Sequence, residues 1–189
     1  ATTEIYTLSL HDALPIRQRV RNDYPLLACT ELGVRHLRIP ASDLCDQAQC
    51  ERVRCLSAEG VHVTASWLWS EGMDLPAAAA PHQELLKGVE LLIPRATKPS
   101  QECLRQIQGC SAELGIPVTL APLIPRERVP GKQHSRTRIG YRPNEVRDLN
   151  RYLLEHGQRL SRILCRVGTE ESPWEDMQRT PEPDSLDRV

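Results

Sequence analysis

Leu32-Gly-Val-Arg-His-Leu-Arg-Ile-Pro40, followed by Ala58-Glu-Gly-Val-His-Val-Thr64, decides the fold class. In both stretches a glycine stands directly ahead of a run of aliphatic and β-branched residues. Glycine is the usual residue just past a helix C-terminus, because it adopts left-handed backbone angles without strain. The runs themselves have strand composition. Arg21–Gly33 therefore reads as a helix closed by Gly33, and Val34–Pro40 as a strand. Ser42 or Asp43 is suited to cap a helix that continues through Ala58, with Glu59-Gly60 ending it. Val61–Trp69 is then a second strand.

The same alternation continues outward. Ser70–Ala80 is looser, with Gly72, Pro76 and an alanine run, and a short helix is expected over His82–Lys87. Gly88–Pro94 reads as a third strand. Ser100 caps an amphipathic helix to Leu114 that places Cys103, Leu104, Ile107 and Cys110 on one face. Ile116–Ile124 reads as a fourth strand and Pro125–Arg142 as an irregular loop. Pro143 starts a helix that runs to Glu155, with Val146, Leu149, Leu153 and Leu154 inward. Ile163–Val167 reads as a fifth strand. Strands separated by helices imply a parallel sheet with right-handed crossovers.

Two α/β architectures satisfy this pattern, a (β/α)8 barrel and a doubly wound open sheet. No glycine-rich phosphate loop follows any strand, as it would in a nucleotide-binding open sheet, so the barrel is expected. The segments 32–40 and 58–64 resemble consecutive barrel units of sugar-processing enzymes. The unit spacing from Leu32 to Val167 resembles the xylose-isomerase-like superfamily, which includes sugar phosphate isomerases and epimerases. A complete barrel takes ~250 residues. The expectation is a partial TIM barrel with about five βα units, open because truncated.

The first sixteen residues, Ala1-Thr-Thr-Glu-Ile-Tyr-Thr-Leu-Ser-Leu-His-Asp-Ala-Leu-Pro-Ile16, resemble the translation of a short-read sequencing adapter, codon for codon. They lack the basic start, apolar core and small-residue cleavage site of a signal peptide. The resemblance implies that 1–16 is a non-native segment, that 17–170 is the partial barrel domain, and that 171–189 is a polar, loosely ordered tail.

The chain carries a formal charge of −1, and Glu4 and Asp12 are the only charged residues in 1–16, so the remainder is at +1. No basic excess or stripe points to nucleic acid. No apolar run approaches ~18 residues, so no membrane-spanning helix is expected. The seven cysteines include no Cys-x-x-Cys. Cys45, Cys50 and Cys55 recur at every fifth residue, which sends them to different helix faces. They read as small, mostly buried apolar residues in a reducing compartment, the cytoplasm. There is no phenylalanine, so the core must be aliphatic.

In a parallel barrel the site lies at the C-terminal ends of the strands. Four expected strand ends carry an arginine nearby: Arg38, Arg95, Arg126 and Arg166. Arg136 and Arg138 lie on the long loop. Converging guanidinium groups would suit a phosphate or carboxylate on the ligand. The bland alternative is rim arginines paired with Asp and Glu. Trp67 and Trp69 share a strand face and could stack on a sugar, or fill space between sheet and helices. Glu71, His134 and Glu170 are the acid/base candidates, and Glu127 would serve a glycoside hydrolase, which needs two carboxylates. The superfamily resemblance implies acidic and histidine metal ligands at strand ends, where Glu71, Glu170 and His134 fit. No metal motif occurs, so a divalent metal has no direct support and the cofactor is left unassigned. The expected partner is an anionic small molecule, acted on by an isomerase or epimerase. The alternatives are a glycoside hydrolase and a non-catalytic domain that binds an anionic ligand. The sequence assigns no oligomeric state.

Overall fold

A computed structural model describes residues 24–127 and 136–166. The chain divides into two compact units, Ala1–Gly33 and Val34–Val189. In the first unit the described element is helix α1, Tyr24–Glu31. The remaining elements belong to the second unit. They are β1 (His36–Pro40), α2 (Ser42–Cys45), α3 (Gln47–Ala58), β2 (His62–Leu68), α4 (Leu75–Ala79), a 3-10 turn (Ala80–His82), β3 (Leu86–Pro94), α5 (Gln101–Leu114), β4 (Val118–Glu127), β5 (Arg136–Ile139), α6 (Pro143–Glu155) and β6 (Arg162–Ile163).

Local chemistry accounts for the boundaries. Ser100 accepts the Cys103 N–H at 3.1 Å and starts α5, and Gly115 closes it at φ 65°. The helix expected over Ser42–Ala58 is divided in two at Asp46. That residue is extended (φ −91°, ψ 122°), and its carboxylate accepts the Gln49 N–H at 2.8 Å, so it caps α3. An aspartate gains more from that cap than from a helical interior. The helix expected over His82–Lys87 lies earlier, at Leu75–Ala79. Asp74 caps it by accepting the Ala77 N–H at 2.9 Å, and Lys87 belongs to β3. The stretch expected as a loop over Pro125–Arg142 contains strand instead. β4 runs on to Glu127, and β5 returns antiparallel, pairing Leu123 with Ile139 and Glu127 with Arg136. Pro122 has no N–H to donate, yet its carbonyl still accepts the Gly140 N–H at 3.1 Å. The prolines therefore do not end the strand.

β1, β2, β3 and β4 are parallel and lie side by side in chain order. On its far edge β4 pairs with β6 through Thr119 and Leu120, and with β5 further along. The described strands form one open, curled, half-barrel sheet in a mixed α/β fold. Its two faces differ sharply. Ile39, Val63, Ala65, Trp67, Val89, Leu91, Ile93, Val118 and Leu120 join Val53 of α3, Leu75 of α4, Leu104 and Ile107 of α5, and Leu149 of α6 in a single core. The alternate strand residues (His36, Arg38, His62, Thr64, Ser66, Glu90 and Thr119) are absent from that cluster. The helices that build the core therefore cover one face of the sheet. In α6 the core residues are Val146, Leu149 and Leu153. Leu154, expected inward, is exposed, because one residue turns the helix by about 100°. No helix among the described residues is long and apolar enough to cross a membrane.

The β5–α6 corner is held by charge. Arg138 is buried and forms two 2.7 Å bonds to the two carboxylate oxygens of Glu145, plus a 2.7 Å bond to the Gly140 carbonyl. Glu145 also accepts the Arg142 N–H at 2.9 Å, which satisfies a free donor at the start of α6. Gly140 has φ 95°, and a Cβ there would meet the Leu164 carbonyl oxygen at 3.2 Å and the Arg166 nitrogen at 3.3 Å. The close approach lets Tyr141 bond Leu164 and Arg166 through its backbone at 2.8 Å each. Tyr141 is fully buried, and its hydroxyl has no hydrogen-bond partner among the described residues.

Two outcomes are expected. Glu145→Ala leaves a buried guanidinium without its carboxylate and should cost about 3–5 kcal/mol in urea unfolding; a loss under about 1 kcal/mol would show that the pair does not hold the corner. Tyr141→Phe removes a buried unbonded hydroxyl and should raise stability by about 1 kcal/mol. Burial also pushes the Tyr141 phenol well above its ordinary range. The native state thus holds that proton after the unfolded chain has lost it. Stability is undiminished below about pH 10, the value of a free phenol, and falls as pH rises beyond it. The phenylalanine variant should lack that alkaline decline.

Candidate functional site

The helix-free face of the sheet carries polar residues at strand positions that alternate with the core. Strand register arranges them in rungs. His36 stands beside His62, and Arg38 beside Thr64, which in turn faces Gly88. One step on, Ser66 stands beside Glu90, then Thr119, then Arg162. The His36 and His62 rings lie 5.0 Å apart at 84° and are both exposed. A Cβ on Gly88 would come within 3.1 Å of the Thr64 hydroxyl, so the glycine keeps the middle rung low.

Glu90 is the centre of the arrangement. It is 3 % exposed, although it lies on the sheet face opposite the core helices. The Ser66 hydroxyl donates to Glu90 Oε2 at 2.7 Å. Arg38 donates from Nε to Ser66 Oγ at 3.1 Å and is ion-paired with Glu90 Oε2. A buried carboxylate needs such compensation, since its desolvation is costly. Only part of each partner is used. The terminal nitrogens of Arg38 and Oε1 of Glu90 bond no described residue. The Arg38 side chain is 45 % exposed, against 4 % for Glu90. Among the described residues, the half-exposed guanidinium and the buried carboxylate thus keep hydrogen-bonding capacity side by side.

The residues singled out from sequence are distributed as follows. Arg38 lies in this cluster. Arg95 follows β3 directly, is exposed, and adopts φ 58°, with its N–H bonded to the Leu123 carbonyl at 2.8 Å. It lies seven residues beyond Gly88, the register partner of Thr64, and is therefore roughly 20 Å along the strand from the Arg38 rung. The two arginines do not converge. Arg126 lies in β4, and Arg136 is an exposed residue that opens β5. Arg138 is turned into the α6 corner, bonded to Glu145, and is a structural residue where a ligand contact was expected. Arg166 is half-buried and bonds the Tyr141 carbonyl through its N–H. Trp67 is buried in the core on the helix side, and Trp69 packs against that core partly buried. This is the packing alternative for the pair. Glu71 is exposed in the turn after β2. His134 and Glu170 lie outside the described residues.

Ser66, Glu90, Thr64 and Gly88 were not anticipated. One signal was available: Glu90 sits mid-strand in Val89-Glu-Leu-Leu-Ile93, an otherwise apolar run. Burial pushes the Cys103 thiol up to about 12 and the Cys110 thiol up to about 11, so both are protonated packing groups. Cys45, Cys55 and Cys165 are exposed, contrary to the expectation that the cysteines are mostly buried. No group of three or more His, Cys, Asp or Glu that could hold a metal occurs among the described residues. No family model, curated protein or solved structure matches the chain.

If Arg38 and Glu90 support each other as described, Arg38→Ala should lower stability by about 1–2 kcal/mol, because it leaves the buried carboxylate with Ser66 alone. Glu90→Gln should cost less, since the amide keeps the serine bond and carries no charge. Urea unfolding of the two variants checks the order; the reverse order would contradict this account.

Proposed function

We propose that this chain belongs to a (β/α)8-barrel type of protein and that its helix-free strand face binds an anionic, hydroxyl-rich small molecule of the sugar phosphate kind. Two features support the barrel. The parallel strands follow chain order without the reversal that defines a doubly wound sheet. The core helices share one face, as in a barrel, where the other strand face points inward.

The observation that carries the ligand reading is the half-used Arg38–Glu90 pair. Nε of Arg38 is committed to Glu90 and Ser66, which fixes the plane of the guanidinium. Its terminal amino groups are then preorganised for a phosphate or carboxylate, through two parallel charge-assisted bonds. Glu90 Oε1 can accept a neighbouring ligand hydroxyl. A donor fork next to an acceptor suits a molecule that carries an anion and hydroxyl groups close together.

The reaction proposed is isomerisation or epimerisation. Glu90 is the group placed to move a proton at a hydroxyl-bearing carbon, and Glu71, His134 and Glu170 remain candidates for the second acid/base role. The setting proposed is the cytoplasm. A purely binding domain would use the same arginine and leave Glu90 catalytically idle.

Calorimetric titration of the full chain with a panel of pentose and hexose monophosphates tests the reading. Wild type should bind at least one of them, and Arg38→Ala should weaken that binding about tenfold or more. Glu90→Gln should retain most of the affinity and lose turnover. Failure of every panel member to bind, or equal binding by Arg38→Ala, would overturn the proposal; binding without turnover in wild type would leave the non-catalytic alternative.

A further inference from the structure

Six of the seven described residues with positive φ are glycines, at Gly33, Gly60, Gly72, Gly115, Gly140 and Gly157; the seventh is Arg95, at φ 58°. We propose that the Arg95 guanidinium binds the phosphate group of a small molecule at the turn that follows β3, in a site separate from the Arg38–Glu90 pair.

A side chain strains the left-handed region, where glycine is relaxed. Such strain persists only where something else compensates for it, and it concentrates at functional sites. The Arg95 side chain finds no compensation within the fold. It is exposed, and among the described residues it forms no hydrogen bond, ion pair or ring contact. The Arg95 N–H bonds the Leu123 carbonyl at 2.8 Å, but glycine would donate the same backbone bond. What glycine could not supply is the guanidinium. That group offers a rigid fork of donors suited to two oxygens of one phosphate.

Position and charge agree with such a ligand. Arg95 directly follows the C-terminal end of β3. Barrels and open parallel sheets alike hold ligands beyond that end of their strands, so the inference does not depend on the barrel reading. Between Arg95 and the start of α5 at Gln101, Lys98 is the other charged residue and no acid occurs. The first acid further along, Glu102, is paired with Arg105. The turn is also pinned. Tyr152 donates its hydroxyl to the Pro99 carbonyl at 2.9 Å, and Lys98 Nζ lies 5.7 Å from the centroid of the same ring. Arg95 stands five residues beyond Glu90, roughly 16 Å along the strand, which separates the two sites.

The side-chain Nε–H resonance of Arg95, followed in the full chain and assigned by its loss in Arg95→Lys, tests the site. Inorganic phosphate should shift it along a saturating curve, and sodium chloride at matched ionic strength should not. In Arg95→Gly the amide resonances of Ala96 and Thr97 report the same binding, which should weaken about tenfold. The urea midpoint of Arg95→Gly should rise, because the relieved strain exceeds the chain entropy that glycine adds. A midpoint that falls would show that the arginine stabilises its own turn, and would overturn the proposal. A chloride shift as large as that with phosphate, or unchanged phosphate affinity in Arg95→Gly, would overturn it as well. Arg38→Ala should leave the Arg95 curve as in wild type, so the Arg38–Glu90 reading can fail while this site stands. Loss of the curve in Arg38→Ala would show one shared anion and overturn the separate site.

Discussion

A parallel strand turns its side chains alternately to opposite sides, so strands in register give a sheet two faces of independent composition. Here one face is wholly apolar, from Ile39 on β1 through Val63, Ala65 and Trp67 to Val118 and Leu120 on β4, and the helices are packed on it. The register that joins these residues also aligns the polar set on the other side. Shifting one strand by a single residue would drive Glu90 or Arg38 into the helix layer and expose valine or leucine in their place. The core and the candidate site are consequences of the same constraint.

Glu90 shows how such a face sustains a buried charge. Its partners come from two neighbouring strands, Arg38 from β1 and Ser66 from β2. Neither is close to it in sequence. Taking a carboxylate out of water is costly unless its lone pairs are matched. The matching is concentrated on one oxygen, with the arginine held by a single nitrogen. The arginine of the pair is the half-exposed partner. In the corner at Arg138 and Glu145 the same residue types meet through both carboxylate oxygens and both terminal nitrogens, and that pair locks structure. The contrast between a buried bidentate pair and a half-exposed single-nitrogen contact separates a structural arginine from a candidate binding one.

The corner that precedes α6 depends on close backbone approach. Gly140 admits the Leu164–Arg166 segment, which brings β6 alongside β4 and places Tyr141 in the core. β4 thereby divides its outer edge between two strands, one parallel and one antiparallel. The sheet continues past β4 without a reversal of strand order.

The sequence by itself determined the fold class. Glycines that end helices, capping residues such as Ser100, and β-branched runs are local signals, and they located the strands and the two long helices near their observed places. It also determined that cysteine would act chiefly as packing volume in α5, where Cys103 and Cys110 fall on the apolar face. It did not reveal that β4 continues through Pro125 and returns as β5, because ladder bonds to a distant strand decide that. Arg38 was singled out as a candidate for anion binding from its position near a strand end. Arg138 was not separable from it by type or by placement, since only the packed corner brings Glu145 onto it. Trp67 and Trp69 were legible as sharing a face, but which face is buried is a property of the assembled sheet. The tertiary structure alone decided that Arg38, Ser66 and Glu90 meet. Their contact spans three strands, and its physical basis, the compensation of a desolvated carboxylate, exists only once register has placed them side by side.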